Sequence, residues 1–407
     1  MAKVFIFGDF IPTGFGRILR AAGTHLAQRG HEVMGACIQY DGLLPLGLPF
    51  WVSSLQGKDH GRAVTDLVAT IKPDVVLVGQ DFPYLEMVRF ATGIDWSVTA
   101  FVGLTPIDGT PVDRRWLTAA RSFDALMTIS EFGVQALKDA GVRASLCPPG
   151  VDMAEFHRLP DDQRAALRDR LMLPREAFVV GMMAMNQGRK DFPGLIEGWW
   201  RALKDIPDAF LYLDCDKASP AGWDIPAQLV EALGVDPARI RYREDAVRAG
   251  MMGLNERYNL LDLHGVIAHR EGYGLPHTEA AATGCPTMAN DYCSGREVTG
   301  GGAHGLLIKA APARMGTWGG ARDFNADLDD LAAQIRWAYE HPAELRAMSE
   351  RASQWAKTRP WNAASEAIER AILDALAKRA APPNVPQPTA PDVVNAGVMI
   401  AAGRGQQ

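Results

Sequence analysis

The feature that most limits the folds open to this chain is a rhythm. Short, wholly apolar runs alternate with stretches whose apolar residues recur at helical spacing. KVFIFG (Lys3–Gly8), DVVLVG (Asp74–Gly79), Ser97–Val102 and Ala125–Ile129 show no clean polar–apolar alternation. Strands of that kind are buried on both faces, as in a parallel sheet with helices on each side. Between them, Phe15–Arg29 reads as an amphipathic helix with Ile18, Ala22, Leu26 and Ala27 along one side. Gly30 ends it, and Glu32–Ile38 resumes as a strand. Further helical stretches fall near Tyr84–Ala91, Arg114–Arg121 and Glu131–Ala140, the last behind the N-cap residue Ser130. This is the βαβ order of a doubly wound α/β domain.

CPPGVD (Cys147–Asp152) breaks the rhythm, because two prolines and a glycine suit a tight connection and not a helix. After a polar helical stretch (Asp161–Leu171) the order restarts. Phe178–Met183, Ala209–Leu213, Leu261–Ala268 and Pro286–Asn290 read as strands, with helices at Asp191–Leu203 and Pro276–Thr283. The division expected is a first Rossmann-like domain over 1–150, a junction over 151–174 and a second Rossmann-like domain over 175–357. A final helical segment over 358–379 (Trp361–Leu376) follows, then a disordered Ala/Pro-rich tail over 380–407.

At 407 residues the chain is too long for one ordinary core and suits two. Hydrophobic residues are 47% and charged residues 22%, the balance of a globular protein, and a net charge of −6 gives no general basic field for nucleic acid. Five cysteines, odd in number and sparse, suggest neither a disulfide framework nor a zinc site, and no metal is expected. His264, His269 and His277 lack ligand spacing, and His277 is expected to be a solvated surface residue. The start, MAKVFIFGDF, lacks signal-peptide character, and no apolar run reaches membrane-spanning length. The expected setting is the cytoplasm.

The chemistry concentrates in EGYGLPHTE (Glu271–Glu279), after a strand pattern and at the start of a helix. Gly272 and Gly274 let the backbone approach a ligand closely. Pro276 fits a first helical turn, and the free N–H groups at that helix end favour an anion such as a diphosphate. Glu271 and Glu279 bracket the string, placed to accept hydrogen bonds from sugar hydroxyls. Upstream, VGMMAMNQGRKDFPGL (Val180–Leu195) ends a strand at Asn186, Arg189 and Lys190. The two cations suit phosphate neutralisation, Lys190 first. GDFIPTGFGR (Gly8–Arg17) places Gly14 and Gly16 between the first strand and its helix, but not in the spacing of a nicotinamide fingerprint. TPIDGTP (Thr105–Pro111) offers Asp108, and the strand before Gln80 offers Asp81, both as acceptor-side carboxylates at the strand ends where α/β ligands bind.

At these residues the chain resembles the retaining glycosyltransferases of family 4, which have the GT-B fold: two Rossmann-like doubly wound domains facing each other across a cleft. The family signature E-G-F-G-L-P-x-x-E is matched by Glu271–Glu279 with Tyr273 in the aromatic position. EAAATGCPTMAND, SGRE, GLLI and PGVD follow the family order. The basic pair departs from the common G-R-L…K-G form, with Met183 or Ala184 in the usual arginine region. The resemblance implies a metal-independent transfer from a nucleotide sugar, a UDP- or GDP-sugar, to an acceptor hydroxyl, with no resident cofactor. It implies Glu271 near the donor sugar and reacting centre; Asp108, read from its place after a strand, is the acceptor-side candidate for that centre. Glu279 would hold the ribose. Backbone N–H groups around Tyr273, Gly274 and Leu275 would face sugar and phosphate, and Gly14 and Gly16 would lie beneath the phosphates. The final helix would cross back to the first domain. The acceptor stays open among glycan, lipid, protein, small molecule and modified DNA base. The alternatives are another GT-B-like enzyme, such as a phosphorylase or a sugar-nucleotide epimerase, or a non-catalytic nucleotide- or carbohydrate-binding protein.

Overall fold

Each apolar run becomes a strand in the interior of a parallel sheet. The structure, a computed structural model, describes residues 1–43, 46–316 and 320–380; the expected disordered tail beyond Ala380 lies outside them. The first sheet holds β1 (Lys3–Gly8), β2 (Glu32–Cys37), β3 (Trp51–Ser54), β4 (Val75–Gly79), β5 (Ala100–Leu104), β6 (Ala125–Thr128) and β7 (Ser145–Leu146), in the order β3-β2-β1-β4-β5-β6-β7. The second holds β8 (Phe178–Met183), β9 (Ala209–Asp214), β10 (Ile240–Tyr242), β11 (Leu263–Gly265), β12 (Thr287–Asn290) and β13 (Gly305–Ile308), in the order β10-β9-β8-β11-β12-β13. Every neighbouring pair within these two sheets is parallel.

The lack of alternation in the sequence now has its cause. Val4 and Ile6 of β1 point into one apolar cluster, Phe5 and Phe7 into another on the opposite face. Phe178, Val180 and Met182 of β8 feed one core, Val179 and Met183 a different one. A strand with a core on each side has no solvent face on which a polar residue would be favoured. The last helix, Trp361–Ala380, joins the core of the first sheet through Ala364, Ile368, Ile372 and Ala375. The backbone crosses back where the Val151 N–H donates to the Arg359 carbonyl at 2.8 Å.

Several elements escaped the sequence pattern. β3 is a half-exposed edge strand, β7 has only two residues, and the helix His60–Ile71 buries only Val64 and Val68. An antiparallel hairpin, β14 (Ala310–Met315) and β15 (Arg322–Ala326), follows β13 and is largely solvent-facing, so it has no apolar signature. β11 is shorter than its apolar run. Arg168 and Arg164 donate to the carbonyls of Leu260 and Leu261, so side chains meet needs that a strand ladder would otherwise meet.

Ile368 is fully buried at the contact between the final helix and the first sheet. Ile368→Ala should destabilise the first sheet's unfolding transition by about 2–5 kcal/mol. Denaturant unfolding checks this, and an unchanged midpoint would show that the helix is not part of that core.

Candidate active site

In both sheets the strand order reverses beside the first strand, at β1/β4 and at β8/β11. Loops leaving the carboxyl ends of such strands open a crevice. In the second sheet, the chain leaving β8 makes a single 3-10 turn, Gly188–Lys190. Asp191 follows in left-handed backbone (φ 52°) and caps the helix Phe192–Leu203. That turn swings both cations toward the loop after β11. The Lys190 ammonium donates to Glu271 Oε2, and Arg189 Nη1 donates to the same oxygen at 3.2 Å and to the Arg270 carbonyl at 3.1 Å. Burial alone would raise the Glu271 carboxyl, but the charges of Lys190 and Arg189 outweigh it and hold the group at about 2. Glu271 is therefore ionised throughout the neutral range and keeps two cations together at the crevice.

The loop above them is tightly determined. Gly274 sits at φ +86°, and a β-carbon there would lie 2.6 Å from His277 Cδ2. Ser294 Oγ donates to the carbonyls of Glu271 and Tyr273, at 3.1 and 3.0 Å, which turns those acceptors inward. The helix Leu275–Ala282 then begins beside this loop, with Pro276 in its first turn and the His277 N–H donating to the Gly274 carbonyl at 3.0 Å, and the positive end of such a helix favours an anion. The Tyr273 ring is buried with Ala289 and Val298, so it supports the loop from beneath. His277 corrects the expectation of a solvated histidine: it is 1% exposed, and its Nδ1 lies 2.5 Å from Thr287 Oγ1. The reason is that the helix is enclosed along its length. Burial pushes the imidazole down to about 4, which leaves it neutral at physiological pH.

Glu279 lies one turn further on, with Arg17 of the first domain donating to one oxygen and the Tyr258 hydroxyl to the other at 2.8 Å. Each oxygen keeps a second lone pair. Arg17 also covers the Phe156 ring at 5.4 Å. Asn186 does not present its amide to the crevice. Its Nδ2 donates to the carbonyls of Asp216 and Trp223, and its Oδ1 accepts from the Trp223 N–H at 3.0 Å, so the side chain ties down the loop after β9.

The first sheet supplies the other wall. A β-carbon on Gly14 would meet Leu275 Cδ1 at 3.8 Å, and one on Gly272 would lie 2.7 Å from Pro106 Cβ. These glycines stand where the two domains' loops meet. Gly16 packs against the Ile11 carbonyl, and its N–H is accepted by Thr13 Oγ1 at 3.0 Å, which starts the helix Gly14–Gln28. Asp108 approaches Arg270 Nη1 at 3.5 Å, and Arg270 also pairs with Asp323 of β15 at 2.7 Å. Burial raises the Asp108 and Asp81 carboxyls, Asp81 further through the charge of Asp108.

Contacts that the sequence did not reveal close the crevice on this side. The Thr110 N–H donates to the Tyr292 hydroxyl at 3.0 Å, and the Tyr292 ring stacks on Phe324 of the hairpin at 3.7 Å. The Arg322 N–H donates to the Thr110 carbonyl at 2.9 Å, and the Glu131 N–H to Glu297 Oε2 at 2.9 Å. Arg17 and Glu297 lay within motifs already singled out, but their partners are distant in sequence. Tyr258 and Tyr292 carried no local signal. Among the described residues no His/Cys/Asp/Glu group suited to a metal ion occurs, and no helix is long and apolar enough to cross a membrane.

Solved structures with this fold include HepE of Anabaena in complex with UDP-glucose. It is 17% identical, with a TM-score of 0.72 over 92% of this chain and all of that one. The fold is GT-B. WaaG, a glycosyltransferase of lipopolysaccharide biosynthesis, superposes with a TM-score of 0.66 at 17% identity over 91% of this chain and 99% of that one. No family model matches the chain. In sequence, the D-inositol 3-phosphate glycosyltransferase of Kineococcus radiotolerans is 30% identical over 246 residues, 58% of this chain and 54% of that protein. The enzyme of the same name from Corynebacterium urealyticum is 26% identical over 208 residues, 49% of this chain and 47% of that protein. The chain thus aligns with about half the length of these relatives. The resemblance to family 4 read from the signature is borne out by these glycosyltransferase relatives and GT-B neighbours.

Two outcomes follow from this GT-B site. Gly274→Ala forces a side chain into left-handed backbone and against His277. It should lower thermal stability and weaken anion binding, while Gly253→Ala, which meets nothing within 4 Å, should do neither. Burial raises the Glu297 carboxyl from 4.5 to about 7. Its folded-state contribution is therefore complete below about pH 4.5 and is lost as pH rises through 7. Glu297→Gln, which keeps the acceptor for the Glu131 N–H, should lose less melting temperature than the parent between pH 5 and 8. Parallel pH profiles would refute that.

Proposed function

We propose that this chain is a retaining glycosyltransferase that moves a sugar from a nucleotide-sugar donor to an acceptor hydroxyl without a metal ion. The observation that carries the reading is the convergence of Lys190, Arg189 and Glu271 beside the loop Gly272–Gly274 and the start of the helix Leu275–Ala282, at the reversal point of the second sheet. Two cations and a helix N-terminus at one point form a receptacle for a diphosphate. Glu279, on the helix that the loop opens, is within reach of the nucleotide's ribose.

The chemistry follows from where charge develops. As the bond from the anomeric carbon to the diphosphate breaks, negative charge builds on the phosphate oxygens. Arg189 and Lys190 stand ready to neutralise it, and Glu271 keeps them in place beforehand, so little reorganisation is needed. Glu271 also supplies a carboxylate to orient the donor sugar. The acceptor approaches from the first domain, on the side of Asp108 and Asp81. Attack on the same face as departure, with the leaving phosphate taking the acceptor proton, preserves the anomeric configuration. Contacts between the domains exclude water that would otherwise hydrolyse the donor.

HepE has been solved with UDP, with UDP-glucose, and with UDP and glucose, so a uridine donor heads the test. The inositol phosphate in the sequence relatives' name is not carried over to this acceptor. Calorimetric titration with UDP, GDP, ADP and their glucose conjugates should show one preferred base. Lys190→Ala and Glu279→Ala should each weaken it about 10- to 100-fold, the loss expected for a charge-assisted contact. Failure of every nucleotide to bind the parent protein would overturn the donor site.

A further inference from the structure

The donor half of the crevice is cationic, and the acceptor half is the opposite. At the carboxyl ends of β1, β4 and β5 the chain places Asp9, Asp81 and Asp108. Only Asp108 has a cation within ion-pair distance among the described residues: Arg270, shared with Asp323. Asp9 is 2% exposed. Its Oδ2 accepts from the amides of Gln39 and Gln80 at 3.3 and 3.2 Å, while its Oδ1 has no hydrogen-bond partner. Asp81 begins the helix Phe82–Arg89 without using its side chain as a cap, so that carboxylate is not committed to the helix. Thr105, also fully buried and at the end of β5, has a hydroxyl without a partner.

Buried acceptors without donors are expensive, and a native fold retains them where something else supplies the donor. The three carboxylates are close enough to act on one another: the charges of Asp108 and Asp9 both raise Asp81, behind the larger effect of burial. The cation that most relieves Asp81 is Arg189, which a donor diphosphate engages. With the donor in place, this wall presents hydrogen-bond acceptors and negative potential. It suits hydroxyl or ammonium donors and repels phosphate or carboxylate.

We propose that the acceptor group entering this crevice is a non-anionic polyol, a sugar or cyclitol unit carrying hydroxyls or an amine, and not a phosphorylated one. The inference rests on the glycosyltransferase reading above and assigns Asp9, Asp81 and Asp108 to hold the hydroxyls of that unit.

The test uses the full chain saturated with whichever of UDP and GDP it binds, and ligand-observed NMR with glucose, glucosamine and glucose 6-phosphate as probes. Glucose and glucosamine should bind at least about tenfold more tightly than glucose 6-phosphate. Asp81→Asn should narrow that gap in the nucleotide-saturated protein, and Asp81→Lys should reverse it. Glucose 6-phosphate binding as well as glucose, a gap insensitive to position 81, or no probe binding to the nucleotide-loaded protein would each overturn the inference while leaving the donor site standing. Absence of nucleotide binding would instead remove the reading on which it rests.

Discussion

The structure depends on one partly buried arrangement: a glutamate held ionised between a lysine and an arginine. Removing charges from water is unfavourable, and burial by itself pushes the Glu271 carboxyl toward its neutral form. Lys190 and Arg189 reverse that balance. The three side chains come from loops after β8 and β11, which are adjacent only because the strand order reverses between them. The ion cluster therefore needs the sheet topology, and the loop over it needs the cluster. Ser294 and the left-handed Gly274 then fix which backbone groups face outward. A site assembled in advance has little to reorganise when charge develops in it.

The same logic extends across the crevice. Gly14 and Gly272 permit the two domains' loops to approach, while Arg17 with Glu279, Thr110 with Tyr292, and Glu131 with Glu297 connect them. The hairpin of β14 and β15 contributes Asp323, Phe324 and the Arg322 N–H to this boundary. It is an excursion of the second domain with almost no core of its own, and its packing partners are Arg270, Tyr292 and Thr110. The resulting crevice is asymmetric in charge, cationic toward β8 and acidic toward β1 and β4.

Much of this was legible in the residues. β1, β4 and β8 announced themselves because a strand with a core on both faces must be apolar throughout. Gly274 and Pro276 were readable because left-handed backbone and a first helical turn each admit few residue types. Ser130 was readable as a cap and accepts from the Gly133 N–H. Where the pattern misled, the surroundings decided. His277 is polar by type yet enclosed, Asn186 faces a neighbouring loop and not the crevice, and the apolar start of the β11 run is held by Arg164 and Arg168.

The sequence by itself determined the local grammar: which segments are strands, where helices begin, and which loops carry glycine, cation and carboxylate. Those follow from backbone sterics and hydrophobic periodicity, which act within a few residues. Only the tertiary structure decided that Arg17 meets Glu279, that Tyr292 meets Thr110, and that Asp9, Asp81 and Asp108 share one wall. Pairings across such separations are set by the order in which strands enter a sheet and by how two sheets face each other, and that order leaves no mark on the residues nearby.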